Sequence, residues 1–424
     1  MQFYGIICRM QNILSKIQEL GMIDNKKNKK KKPKEIGKVN PILFKFLYAV
    51  LKPIYTRKYN ITYDNEIVKD IKGPAIVVAT HTSNEDHILS ALTLYPVRPT
   101  YIVSEHFMRN KKTAMLLKLA HVITKKMFTP DVSTIINVMR AKKENAVIVI
   151  FAEGRLSCFG RTLPIAEGTA ELIKKLGVNL YSWKAEGAYL SIPKWSEKGG
   201  ERKGQIKSSV KLLLTAEEIA ERSIADIKET VANAVYNDDE LAMEGIEYKC
   251  EDMTRGVDKI LFKCPKCLRE GTITAGENHI RCDCGLDATL DNFYKLHDAP
   301  FETVNQWFAW QQNSIDTETE SIFTKARLGT PGEDGFMDPN AGEGEIYIDK
   351  NEFRLSGTLH GEKIEFSTAP EKIHAFPVAP GDHFDVYHGG KLIYVYTQPD
   401  LRACVKWVCF LDKLMEEKSR ASAE

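Results

Sequence analysis

The sequence predicts an α/β domain followed by a small cysteine-bearing unit and a C-terminal β-rich domain, and three observations carry that reading. Two apolar runs, "GPAIVVAT" (73–80) and "AVIVIFAEGRLS" (146–157), each end in a polar turn, as buried strands of a parallel sheet do. Four cysteines pair up as "CPKC" and "CDCG" between residues 264 and 285. From residue 343 the apolar period changes to two, the period of a half-buried strand. A chain of 424 residues with 43% hydrophobic composition is long enough to bury roughly two to four such cores.

The first segment, 1–37, is set apart by charge. Net charge is only +2 overall, yet residues 1–60 carry 14 Lys or Arg against Glu19, Asp24 and Glu35, leaving the remainder acidic. Phe3, Ile6, Ile7, Met10, Ile13, Leu14, Ile17 and Leu20 recur at helical spacing, with Arg9, Asn12, Lys16 and Glu19 opposite and Gly21 placed to end the helix. This is an amphipathic stripe, not the continuous apolar run of a signal peptide. After it, Lys26 to Lys34 holds seven lysines in nine positions. Such a block is either a solvated arm or an attractor of anionic lipid head groups, each lysine near such a surface contributing about 1 kcal/mol. A second apolar stretch, "PILFKFLYAVLKPIY" (41–55), is broken by Lys45, Lys52 and Pro53 and falls short of the ~20 apolar residues that span a bilayer. Both segments are expected either to lie on a membrane surface or to pack on the protein's own core.

The α/β domain is expected over 38–242. Its two strand ends would lie side by side at one edge of a parallel sheet, where ligands bind, one bringing His81 and Asp86, the other Glu153, Gly154 and Arg155. Ser83-x-x-Asp86 also matches a helix capping box, a purely structural use of Asp86, and Thr82, Ser83 and Asn84 read as turn formers.

Over 243–297, Cys264, Cys267, Cys282 and Cys284 form two thiolate knuckles that can bring four sulfurs tetrahedrally around one zinc ion, as in a zinc ribbon. The second pair is the tighter C-x-C, so Cys250 or His279 stand as substitutes for one ligand. Nine cysteines and no secretory signal suit a reducing compartment. The segment is not basic enough for nucleic-acid binding, and the metal is expected to be a structural staple.

Residues 298–342 are expected to form a helix around Trp307, Phe308 and Trp310 and then a Gly/Pro/Asp-rich linker, "TPGEDGFMDPNAGEG". Residues 343–424 alternate as antiparallel strands with a hairpin at "HGGK" and close in a helix bearing Leu401, Cys404, Val405, Val408, Leu411 and Leu414. That pattern resembles a small PH-like or GRAM-like domain.

His81 through Asp86 is the H-x4-D signature of the glycerolipid acyltransferases, and "FAEGRLS" (151–157) is similar to their F-P-E-G-T-R-S block. The resemblance spans roughly residues 40–240 and is strongest to the 1-acylglycerol-3-phosphate (lysophosphatidate) acyltransferase branch. It takes in "ITKKMFTPD" (123–131), similar to the block that helps hold the acceptor, and "GVNLYSWKAEGAYLSIPKW" (177–195), in the place of the late V-P-V block. Ala152 stands where that family has Pro, and Arg155-Leu156 where it has Thr-Arg, so the basic residue is kept one position away. The addition of a zinc ribbon resembles a subgroup found in anaerobic Gram-positive bacteria.

The resemblance implies an α/β acyltransferase fold and transfer of a fatty acyl group from acyl-CoA or acyl carrier protein to a lysophospholipid, giving phosphatidate at the cytoplasmic face of a bacterial membrane. An alcohol attacking a thioester needs a positioned base, a role for His81, and a carboxylate on the other ring nitrogen fixes the tautomer, a role for Asp86. Arg155 and Lys126 would hold the acceptor phosphate, and Glu153 would orient Arg155 or the glycerol hydroxyls. Two other readings stand beside this one: a different lysophospholipid or lipid alcohol as acceptor, and a non-catalytic lipid-binding adaptor on the same scaffold.

Overall fold

The computed structural model describes residues 39–127, 131–196, 200–332 and 335–421, so the amphipathic stripe and lysine block of 1–37 lie outside the described residues. The two apolar runs of the sequence become adjacent central strands. The first sheet contains β1 (Ile61–Asp64), β2 (Ala75–Ala79), β3 (Pro99–Ser104), β4 (Ile123–Lys125), β5 (Val147–Phe151), β6 (Asn179–Glu186) and β7 (Ile206–Leu214). Their order is β1-β7-β6-β2-β5-β3-β4. β2 pairs in parallel with both β5 and β6, while β7 runs antiparallel to β6. All five residues of β2 are buried because both faces of the sheet are covered, which is why that run is apolar throughout instead of alternating.

Successive β2 side chains feed opposite cores. Ile76 and Val78 join Val138, Ile173 and Val231 from the helices Val132–Lys143, Thr169–Leu176 and Ile224–Val235. Val77 and Ala79 join Tyr59 and Leu89, from the helices Pro41–Tyr59 and Asp86–Thr93, on the other face. The result is a three-layer α/β/α sandwich whose strand ends carry the candidate site.

The cysteine unit is a four-stranded antiparallel sheet of β8 (Ile273–Gly276), β9 (His279–Cys282), β10 (Leu286–Leu290) and β11 (Leu296–His297). The expected helix follows at Val304–Asn313, and Trp307 and Phe308 are buried as anticipated. The expected linker is a different matter. β12 (Ile322–Pro331) and β13 (Met337–Ile348) pair antiparallel across it, from Ile322↔Ile348 to Pro331↔Met337, so most of "TPGEDGFMDPNAGEG" is strand and the C-terminal domain begins near 322 instead of 343. Gly and Pro are tolerated there because the ladder shifts register between Leu328 and Thr330, the irregularity at which such residues are accommodated.

β14 (Phe353–Leu359), β15 (Glu362–Thr368), β16 (Val378–Ala379), β17 (His383–His388) and β18 (Lys391–Gln398) complete a seven-stranded antiparallel sheet ordered β15-β14-β13-β12-β18-β17-β16. Among the described residues no pairing joins its two end strands, so it is an open sheet and not a closed barrel. The helix Cys404–Ala421 packs on it. One continuous core unites Tyr189 and Trp195 of the first domain with Ile280 of the cysteine unit, Trp307, and Phe384 and Trp407 of the C-terminal domain. The segments read as successive domains in sequence therefore share an interior.

Candidate active site

The turn after β2 is pinned from both neighbouring strands. Thr80 N–H donates to Trp183 O at 3.3 Å, Ala152 N–H to Ala79 O at 3.2 Å and Ser157 N–H to His81 O at 2.8 Å. His81 N–H donates to Glu153 Oε1 at 2.8 Å, and Leu163 N–H donates to Glu153 Oε2 at 2.8 Å. Both carboxylate oxygens of the buried Glu153 are thus used to fasten one strand end to the next, a different use from the expected one of orienting Arg155 or a glycerol. Burial, partly offset by those two N–H donors, raises its pKa to about 8. Gly154 takes φ +71°, the left-handed geometry the turn needs; a Cβ there would meet Ala166 Cβ at 3.1 Å.

His81 Nδ1 lies 3.0 Å from Asp86 Oδ2, and the same oxygen accepts Ser83 N–H at 2.9 Å. The helix starts at Asp86 itself, with Glu85 as its N-cap and no side-chain cap, so the expected Ser83–Asp86 capping box is not formed; the Asp86 carboxylate instead closes the turn through Ser83 N–H and holds the ring. The His81 ring stacks on Phe151 at 4.2 Å and meets the edge of His87 at 5.5 Å. Its side chain keeps 15% exposure while Asp86 is fully buried. Burial, with the Lys194 cation second, lowers the His81 pKa to about 3, so the ring is neutral at physiological pH. Burial also pushes the Asp86 carboxyl up, opposed by the backbone N–H groups of Ser83 and Thr82.

On the His81 side of the sheet an apolar groove of about 240 Å³ runs between the helices Pro41–Tyr59, Asp86–Thr93 and Lys111–Leu119. Leu43, Phe44, Leu47 and Leu51 supply one wall, Leu116 and Leu117 another, and His87 and Tyr101 its end near His81. Tyr55 O–H donates to Glu85 Oε2 at 2.7 Å, tying the first of these helices to the turn. Much of the 41–55 apolar stretch thus faces the protein's own groove, although Ile42 and Ile54 remain 74% and 53% exposed.

The two expected phosphate ligands are not brought together. Arg155 donates to Asp412 Oδ1 at 2.6 Å and to Phe376 O at 3.4 Å, both from the C-terminal domain. Lys126 follows β4, two ladder steps from the β5 end that carries Arg155, on the order of 10 Å away in the sheet, and its backbone N–H donates to Asp131 Oδ2 at 2.8 Å. The cation that does act on His81 is Lys194, whose Nζ donates to Val378 O at 2.5 Å. Sequence reasoning passed over Lys194, inside the block at 177–195, and His87, the residue after Asp86. Asp412, 257 positions from Arg155, left no local signal.

The four knuckle cysteines converge: their sulfurs all lie within 4.8 Å of one another, with Cys264–Cys284 at 3.7 Å and Cys267–Cys282 at 3.8 Å. Zn–S bonds of about 2.3 Å in a tetrahedron put sulfurs roughly 3.8 Å apart, so the set fits a metal ion of that kind. The substitutes are engaged elsewhere, Cys250 with Met253 Sδ at 3.5 Å and His279 with Asp287 at 2.6 Å. Among the described residues no helix is long and apolar enough to cross a membrane.

Residues 58–184, which contain β1 to β5, most of β6 and the whole of the His81 turn, match the family model described as acyltransferase. The match makes this segment similar to the acyltransferases over less than a third of the chain. Among solved structures, the 1-acyl-sn-glycerophosphate acyltransferase of Thermotoga maritima is similar at 17% identity, over 46% of this chain and 76% of that one, with a TM-score of 0.40.

Proposed function

We propose that this protein moves a fatty acyl group from a thioester donor, acyl-CoA or acyl carrier protein, to the free hydroxyl of a lysophospholipid, with 1-acylglycerol-3-phosphate the acceptor of first choice. The observation that carries the reading is the junction of an apolar groove with a neutral, carboxylate-held histidine. The groove suits an acyl chain. His81 Nδ1 is held toward Asp86, which leaves Nε2 to take the acceptor's proton; the developing imidazolium is stabilised by the carboxylate. No protein nucleophile is needed, since the acceptor oxygen attacks directly. The four-cysteine site would hold a structural zinc ion. The protein would act as a peripheral enzyme on the inner face of a bacterial membrane, drawn there by the lysine block of 1–37.

The Arg155–Asp412 pair favours a second reading of the acceptor. With the guanidinium neutralised by a carboxylate from the C-terminal helix, Arg155 no longer selects for a phosphate monoester, and a lysophospholipid or lipid alcohol without one becomes a second candidate acceptor. Purified protein given palmitoyl-CoA or palmitoyl-acyl carrier protein with lysophosphatidate, lysophosphatidylcholine or monoacylglycerol in detergent micelles separates the readings. Fastest thiol release with lysophosphatidate is expected. A preference for either other acceptor would overturn that assignment, and no transfer from either donor would favour a lipid-binding adaptor.

A further inference from the structure

We propose that His87 is a second catalytic residue of this site, its ring N–H donating to the carbonyl oxygen of the acyl thioester and to the oxyanion that forms from it. The inference rests on the acyl-transfer reading and adds a group to it. His87 follows Asp86 in the first turn of its helix, and its ring stands edge-on to His81, centroids 5.5 Å apart and planes at 84°. Phe151 packs against both rings, at 4.2 Å from His81 and 4.7 Å from His87. His87 lines the apolar groove at the end nearest His81. An acyl chain lying in that groove presents its carbonyl between the two imidazoles.

A histidine retained for packing normally has its ring nitrogens satisfied. The other polar groups here are used in that way. Tyr101 O–H lies 3.0 Å from His87 O and 2.9 Å from Ser90 Oγ, and Ser90 O–H donates to Asp86 O at 2.6 Å. Among the described residues, neither His87 ring nitrogen has a hydrogen-bond partner, and the side chain is only half-buried. Burial first, and the neighbouring His81 second, lower the His87 pKa to about 3. At neutral pH the ring therefore carries a single N–H and no charge, so it can donate without the desolvation cost of an imidazolium against an apolar groove.

In the reaction, the acceptor oxygen bonds to the carbonyl carbon and its proton passes to His81 Nε2. The carbonyl π pair moves to the oxygen, which His87 N–H holds. When that pair returns, the C–S bond breaks and the leaving thiolate takes the proton from His81, restoring both rings.

The test uses the full chain, with palmitoyl-CoA as donor and whichever micellar acceptor gives the parent its highest rate. For His87→Leu and His87→Met, kcat should fall by about 10²- to 10³-fold with the donor KM within roughly threefold and the melting temperature near the parent's; His87→Gln, which keeps an N–H donor, should recover at least about tenfold. If the leucine variant does not fold, the methionine–glutamine comparison carries the test. A kcat within about threefold of the parent in the apolar variants, a defect confined to KM, or a glutamine variant no better than methionine would overturn the role of His87. A parent that transfers no acyl group refutes the underlying acyl-transfer reading instead.

Discussion

Asp86→Asn separates the two jobs of this carboxylate. The oxygen that accepts Ser83 N–H at 2.9 Å also faces His81 Nδ1 at 3.0 Å, so an asparagine carbonyl in the same place keeps the turn and the tautomer. What it removes is the negative charge beside the imidazolium. Charge centres about 4 Å apart interact by roughly 4 kcal/mol at an effective dielectric of 20, so kcat should fall by about 10³-fold. The new amide nitrogen takes the position of Oδ1, a buried atom with no protein partner among the described residues, and its N–H groups should cost about 1–3 kcal/mol of stability. Thiol release from palmitoyl-CoA measures the first quantity and denaturant unfolding the second. A folded variant with kcat within about tenfold of the parent would refute the assignment of Asp86 as the group that stabilises charged His81.

Three further outcomes follow from the site and from the cysteine unit. Because His81 is lowered to about 3 from 6.5, kcat/KM should stay level from pH 7.5 down to about 5 instead of falling near 6.5; an acid limb with an apparent pKa near 6.5 would mean that the ring is hydrated and ordinary. The same depression, shared by His87, means that these two rings disfavour the folded state progressively as pH falls from 6.5 toward 3, so a His81→Gln/His87→Gln variant should lose less stability than the parent across that window in denaturant unfolding. Protein purified under reducing conditions should carry one zinc per chain, and Cys264→Ser or Cys282→Ser should lose it and expose residues 250–297 to proteolysis while the first sheet stays folded; metal analysis finding no zinc would refute the site.

The sequence by itself determined those features whose cause is local. A fully apolar five-residue run rich in Val and Ile and bounded by Gly-Pro and a polar turn is too short for a buried helix and suits a central strand, and the spacing of His81 and Asp86 across a strand–helix turn lets them meet at 3.0 Å. The two cysteine knuckles were legible for the same reason, since short turns fix the sulfurs irrespective of the rest of the chain. Tertiary structure alone decided what the cations near the site do. Arg155 reads as a phosphate ligand until the C-terminal helix brings Asp412 to 2.6 Å, and Glu153 reads as a substrate contact until two backbone N–H groups claim its oxygens. The linker that proved to be strand belongs here too, because Gly and Pro mark a loop only while the partner strand is unknown; hydrogen bonding from β12 to β13 overrode the local preference. Charge partners and strand partners are chosen across hundreds of residues by packing into a shared core, and no window of sequence contains that information.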